Sequence, residues 1–168
     1  MQNAKDTFFV MLQGRLAALN PSRTIVLRGV VRPGISVDEN ELPTASVPLD
    51  AFRLDWTTLH VDSEGPLSTV TMECSIRYAT DGDSGHGGMD RGRLLAGMDA
   101  ELSAALGAMP HTVGKMNYSA AGAGVAPIAM GTNVFWANPE FGAATAAGER
   151  LERTATVQVF TYQEAGEL

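Results

Sequence analysis

Apolar side chains recur along this chain with two periods, and the switches between them mark out its elements. From Ala4 to Leu19, Phe8, Leu12, Leu16 and Leu19 are spaced by four, four and three, which makes one apolar face of a helix. Asn20-Pro21 ends that helix, because a residue before proline is pushed away from helical torsions. Thr24–Val31 reads as one strand, rich in Ile25, Val26, Val30 and Val31, and Arg32-Pro33-Gly34 breaks it. Asp38-Glu39-Asn40-Glu41, leading to Leu42-Pro43, reads most simply as a solvated acidic connection.

The period then becomes two. Ala51–Asp62 alternates Phe52, Leu54 and Trp56 against Arg53, Asp55 and Thr57, and Ser63-Glu64-Gly65-Pro66 is a turn signal. Leu67–Ala79 sets Val70, Met72, Cys74, Ile76 and Tyr78 against Thr69, Thr71, Glu73, Ser75 and Arg77, as in an antiparallel sheet with one wet face. After the polar loop Asp81–Gly88, Asp90 is placed to cap a helix over Arg91–Met109. Its expected buried side carries Leu94, Leu95, Met98, Leu102, Ala105, Leu106 and Met109, and Pro110 closes it. The region of about 110–131 reads as an Ala/Gly-rich loop, since eight of the thirteen residues Ser119–Gly131 are Ala or Gly. Thr132–Ala137 is a short strand, Asn138–Gly148 a loop, Leu151–Tyr162 a long alternating strand, and Glu164–Leu168 a short acidic tail. The expected fold is therefore α+β: a single domain over residues 1–168, with a mainly antiparallel sheet and two amphipathic helices packed on one face.

Composition narrows the function classes. The 168 residues suit one domain with a real core. Twelve Lys and Arg against nineteen Asp and Glu leave a formal charge of −7, which argues against non-specific nucleic-acid or anionic-membrane binding. The lone cysteine, Cys74, fits a reducing compartment. Met1–Asp6 lacks the pattern of a secretory signal, and the uncharged stretch Met116–Pro139 is too interrupted by Asn, Gly and Pro to span a bilayer. The expected site of synthesis is the cytosol.

Candidate chemistry is sparse. Asp81-Gly-Asp83-Ser-Gly85 begins like a calcium loop, but Gly85 and Leu94 fall where the fifth and twelfth ligands belong. His60, His86 and His111 lack helical metal-site spacing, and Cys74 on an apolar strand face reads as a buried structural residue. Ala120–Gly124 has neither a phosphate-loop continuation nor Rossmann spacing. The expectation is no catalytic, cofactor-binding or metal-binding residue, no cofactor and no enzymatic activity.

The element order resembles the tail-terminator (tail-completion) proteins of tailed phages and related contractile particles. The matching parts are the helix ending at Asn20-Pro21, the Arg32-Pro33 to Leu42-Pro43 connection and the long hairpin. The helix from Arg93-Leu94-Leu95 to Met109 and the terminal strand Thr154–Tyr162 match as well. Ser119–Gly131 departs from that pattern, as an insertion before the final strands. The resemblance implies a structural protein that caps the tail tube as a homomeric ring, six-fold in that family, ending tube growth and forming the joining surface. Its implied partners are itself, the tail-tube protein and a head–tail connector or sheath protein, with neither sequence-specific nucleic-acid binding nor a membrane. Its implied location is the host cytoplasm during assembly, then the virion tail. Two other classes stay open: a different head–tail or tail-tube component, and a small cytosolic ligand-binding or enzyme domain with Trp56, His60, His111 or Trp136 around a pocket.

Overall fold

The structure is a computed structural model that describes residues 1–40, 47–82, 89–119 and 125–164, together with Glu167. Helix α1 (Gln2–Leu19) buries Ala4, Thr7, Phe8, Leu12 and Leu16, the predicted stripe less its last member, since Leu19 is half exposed. It stops where expected, with the Asn20 amide donating to Leu16 O at 2.9 Å before Pro21 breaks the ladder.

The region read as a single strand is a hairpin. Strands β1 (Thr24–Leu27) and β2 (Val30–Pro33) pair antiparallel around Arg28-Gly29. Both turn residues have positive φ, 51° and 76°, the two-residue turn whose twist matches that of the flanking strands. Gly29 takes such torsions without penalty. The β-branched residues on either side conceal a turn of this kind, because only one of its two residues is a turn former.

Strand β3 (Ile35–Val37) follows directly and lies parallel to β4 (Phe52–Asp62), which pairs antiparallel with β5 (Thr69–Thr80). The hairpin boundaries match expectation closely, and Val70, Met72, Cys74, Ile76 and Tyr78 are all fully buried. Helix α2 (Asp90–Gly107) buries Leu95, Met98, Leu102, Ala105 and Leu106. Leu94 and Met109 are exposed, the first rotated off that stripe and the second beyond the helix end. Asp90 is the first helical residue rather than the cap, which is Met89, so its carboxylate sits in the first turn, where the helix dipole favours it.

The expected loop of about 110–131 holds one strand and the start of a second. Strand β6 (Thr112–Asn117) pairs with β7 (Ile128–Trp136), which starts four residues before the expected Thr132. Small and polar residues hid this hairpin from pattern reading. Residues 120–124 lie outside the described residues. The loop Asn138–Gly148 likewise contains β8 (Glu140–Phe141) and β9 (Thr145–Ala147). Both pair with β10 (Arg150–Tyr162), as β7 does further along, while β5 occupies its whole other side.

The result is α+β, mostly sheet, with a mainly antiparallel, curled eight-stranded sheet along the path β3-β4-β5-β10-β7-β6 and two helices. One core cluster joins Phe8, Leu12 and Leu16 of α1, Leu95, Met98 and Leu102 of α2, and the inward residues of β4, β5, β7 and β10. Leu12, Leu16, Val70, Met72, Ile76, Leu95, Met98, Leu102, Val157 and Val159 are all buried in it. Replacing Leu102 by alanine is expected to lower unfolding free energy by about 3 kcal/mol. Urea denaturation measures this, and a loss below about 0.5 kcal/mol would contradict the packing.

Candidate functional site

The second face of the central sheet is polar at one end and aromatic at the other. Thr57, Glu73 and Gln158 form a row across β4, β5 and β10: Thr57 Oγ1 donates to Glu73 Oε1 at 2.7 Å and Gln158 Nε2 to Glu73 Oε2 at 3.1 Å. Two residues along, the ladder aligns His60 with Thr71, Thr71 with Phe160, and Phe160 with Phe135. Directly paired residues share a face, so His60, Phe160 and Phe135 lie in one cross-strand row. Thr69, Phe135, Phe160, Thr161 and Tyr162 line a shallow groove of about 310 Å³ there.

A register break decides what the far end of β4 exposes. Trp56 pairs with Cys74 and Thr58 with Glu73, which leaves Thr57 as an extra residue. One extra residue exchanges the two faces beyond it. Leu59 and Val61 thereby stand opposite Met72 and Val70, on the apolar side, yet they are 46% and 37% exposed. The β1–β2 hairpin exposes apolar surface at the other end of β4: Val26 and Val31, a directly paired couple, are 70% and 66% exposed. Its opposite side helps line a cleft of about 280 Å³ with Phe9, Gln13, Ile35 and Val37.

Charged groups are tied into the scaffold. Arg53 and Arg77 are directly opposed, which is unfavourable for like charges unless an anion lies between them. Asp38 supplies it, accepting from Arg53 Nε and from Arg77 Nη2, the latter at 2.7 Å. The acidic connection is therefore not simply solvated: Asp38 and Asn40 bound a short 3-10 turn, and Glu39 pairs with Lys5. Glu41 lies outside the described residues. Asp99 likewise accepts from Tyr78 Oη and Arg153 Nη1, both at 2.5 Å, joining α2 to the sheet. Burial, followed by the Asp99 hydrogen bond, pushes the Tyr78 hydroxyl well above its ordinary value.

The acidic tail is also structural. Lys115 is fully buried where the β6–β7 register breaks, and its Nζ donates to Glu167 Oε2 at 2.6 Å and Tyr162 O at 2.7 Å. Glu164 accepts from the Thr132 hydroxyl at 2.6 Å and from the Gly131 and Thr132 amides. Pattern reading missed this cluster, because a lysine in a polar strand and a terminal glutamate each look solvated. The adjoining residues 165–166 and Leu168 lie outside the described residues.

No family model matches the chain, and no curated protein does either.

Of the four side chains considered for a pocket, Trp56, Trp136 and His111 are joined by ring contacts through Phe8 and Trp136. Phe8 bridges Trp56 and Trp136 edge-on, at 5.9 and 6.0 Å between ring centroids. His111 stacks on Trp136 at 5.9 Å, whereas His60 is exposed in the outer row near the β4 end. Cys74 is fully buried, and burial, reinforced by the Asp55 charge, pushes its thiol up and disfavours the nucleophilic thiolate. Among the described residues no three His, Cys, Asp or Glu side chains converge to hold a metal ion. Most of the Asp81–Asp90 loop, with His86 and Asp83, and the Ala120–Gly124 run lie outside the described residues. Among those described, no helix is long and apolar enough to cross a membrane.

Proposed function

We propose that this chain is a structural subunit of a phage-like tail, a tail-terminator protein that caps the tube as a homomeric ring, ends its growth and forms the joining surface. The observation that carries the reading is the distribution of exposed apolar surface. Exposed apolar side chains stand at both ends of β4 as well as elsewhere on the surface, an aromatic groove lies on the sheet, and the polar groups between are internally paired. Such a molecule is suited to contact neighbours rather than to turn over a substrate. In this reading the two helices cover one sheet face and leave the Glu73–Gln158 row and the Phe135–Phe160 strip for contacts with the tube protein and the connector or sheath. A ring lumen sharing the sign of the chain's net charge of −7 would weakly repel passing DNA. The protein then acts in the host cytoplasm and ends in the virion tail, using no catalytic residue or cofactor.

Electron microscopy of particles made without this protein tests the proposal. Tails of irregular, overgrown length that fail to join heads are expected, and uniform tails that still join heads would overturn it. The cleft between α1 and the β1–β2 hairpin favours a second reading, a small-molecule-binding domain. A bound metabolite seen by native mass spectrometry of the purified chain would support that reading.

A further inference from the structure

We infer that the cleft between α1 and the β1–β2 hairpin binds a small monocarboxylate with an apolar body, its charge held by Arg32. The inference does not need the ring. It names the ligand class for the small-molecule reading of the same cleft and rests on that reading.

The hairpin is tied to the rest of the molecule at both ends. At its base the Phe52 amide donates to Gly34 O at 2.8 Å, and at its turn Arg28 Nη2 donates to Asn40 O at 2.7 Å. The cleft's walls are therefore fixed before any ligand arrives, and they bound about 280 Å³, a volume suited to a small molecule. Register sorts the lining. Arg32 pairs with Ile25 and Leu27 with Val30, so these four share the hairpin face turned to the cleft, while Val26 and Val31 lie on the other. Phe9 of α1 and Ile35 and Val37 of β3 supply further apolar wall.

Two sets of polar groups at the cleft lack partners. Arg32 and Gln13 line it, and neither side chain has a hydrogen-bond or ion partner among the described residues. The carboxylates nearest to Arg32 in sequence are engaged elsewhere, Asp38 between Arg53 and Arg77 and Glu39 with Lys5. The second set is backbone. Gly34 O faces β4, and successive residues of a strand turn to alternate sides, so the N–H and C=O groups of Ile35 and Val37 point away from β4. Both residues are buried, and among the described residues these groups have no partner. Buried backbone groups are nearly always paired, so the cleft floor offers donors that a ligand oxygen would satisfy.

A monocarboxylate answers each of these features. One guanidinium fork matches one carboxylate through two parallel hydrogen bonds, and the floor amides are further donors. The aliphatic and aromatic wall takes the apolar body. A cationic ligand is repelled by Arg32, and a phosphate dianion calls for a second cation, whereas Arg28 is already engaged by Asn40.

The test titrates the full chain with hexanoate, octanoate, benzoate and phenylacetate, read by calorimetry and amide NMR, with hexylamine as a control of opposite charge. At least one acid is expected to bind with a Kd of about 1 mM or tighter and to exceed hexylamine by about tenfold. It is expected to shift the Ile35 and Val37 amide signals. Arg32 has no partner to lose, so Arg32→Gln is expected to keep the unmodified melting temperature while weakening the acid about tenfold. Equal binding of acid and amine, an Arg32→Gln variant that binds as well as the unmodified chain, or no binding by any of the four acids would overturn the inference. So would binding that leaves the Ile35 and Val37 signals unmoved. Native mass spectrometry separates the two readings. A co-purified ligand of another class, with the acids inert, removes the carboxylate alone, whereas a chain that carries no ligand and binds no acid removes the small-molecule reading with it.

Discussion

Replacing Trp136 by alanine is expected to destabilise the protein by about 4 kcal/mol, the largest effect of any single truncation proposed for it. Trp136 ends β7 only 3% exposed, and it is where three elements meet. Its ring packs edge-on against Phe8 of α1, stacks on His111, and lies under the Arg15 guanidinium at 5.0 Å. Its indole Nε1 donates to Leu106 O at 2.9 Å, satisfying a carbonyl in the last turn of α2 that has no helical partner. Arg15 caps the same helix end, donating to Ala105 O and Ala108 O at 2.9 and 2.8 Å. Alanine therefore removes a large buried ring, a cation–π partner and a helix-end hydrogen bond together. Phenylalanine keeps most of the packing and leaves only the carbonyl unpaired, so Trp136→Phe is expected to lose about 2 kcal/mol. Urea unfolding of both variants measures this, and a loss below about 1.5 kcal/mol for the alanine variant would contradict the role assigned to the ring.

Removing the Glu167 carboxylate is expected to destabilise by about 3 kcal/mol, because it leaves the Lys115 ammonium buried with its nearest counter-charge gone. Glu164 Oε1 is the remaining anion, 3.8 Å from Lys115 Nζ. The pH dependence follows from the same group. Burial alone would raise the Glu167 carboxyl, but the Lys115 hydrogen bond, the Glu164 amide and the Met1 amine together hold it below its ordinary value of 4.5. A carboxyl depressed in the folded state contributes stability that is fully present above the unfolded value and lost as pH falls through the folded one. Glu164, depressed chiefly by the Thr132 hydroxyl against a smaller opposing effect of burial, acts in the same direction. So does Glu101, in which hydrogen bonds from Arg23 and Asn20 outweigh burial. Thermal melts of the unmodified protein are expected to be level above pH 5 and to fall steeply below about 4.5. Glu167→Gln is expected to start lower and fall less steeply over that range. Equal acid slopes for the two proteins would count against the Lys115–Glu167 account.

Wherever side chains alternate strongly between apolar and polar, the elements were legible from local pattern. Both helices, the β4–β5 hairpin and β10 follow from period alone, because a half-buried element must repeat its apolar residues at its own geometric spacing. The same periodicity named the buried face of β5 and, apart from Leu94 and Met109, that of α2. It said little about β6, β8 and β9, whose residues are small, polar or few, so that hydrogen bonding to a partner strand holds them extended with little patterning of their own. The β1–β2 turn was hidden inside an apparently continuous run, and the Thr57 bulge became visible only when the pairing of β4 with β5 was known.

For the candidate site the division is sharper. Composition and motif spacing already disfavoured nucleic-acid binding and any recognised catalytic or metal signature, since those depend on residue types that must be present in the chain. Which carboxylates are structural, and which valines and leucines stay exposed, depends on partners remote in sequence. Asp38 meets Arg77, Lys115 meets Glu167, and Leu59 emerges from the apolar face beside Met72 only through long-range pairing. Burial and charge neutralisation are properties of the folded arrangement and not of any window of the chain, so these groups acquired their roles only when the sheet closed around them.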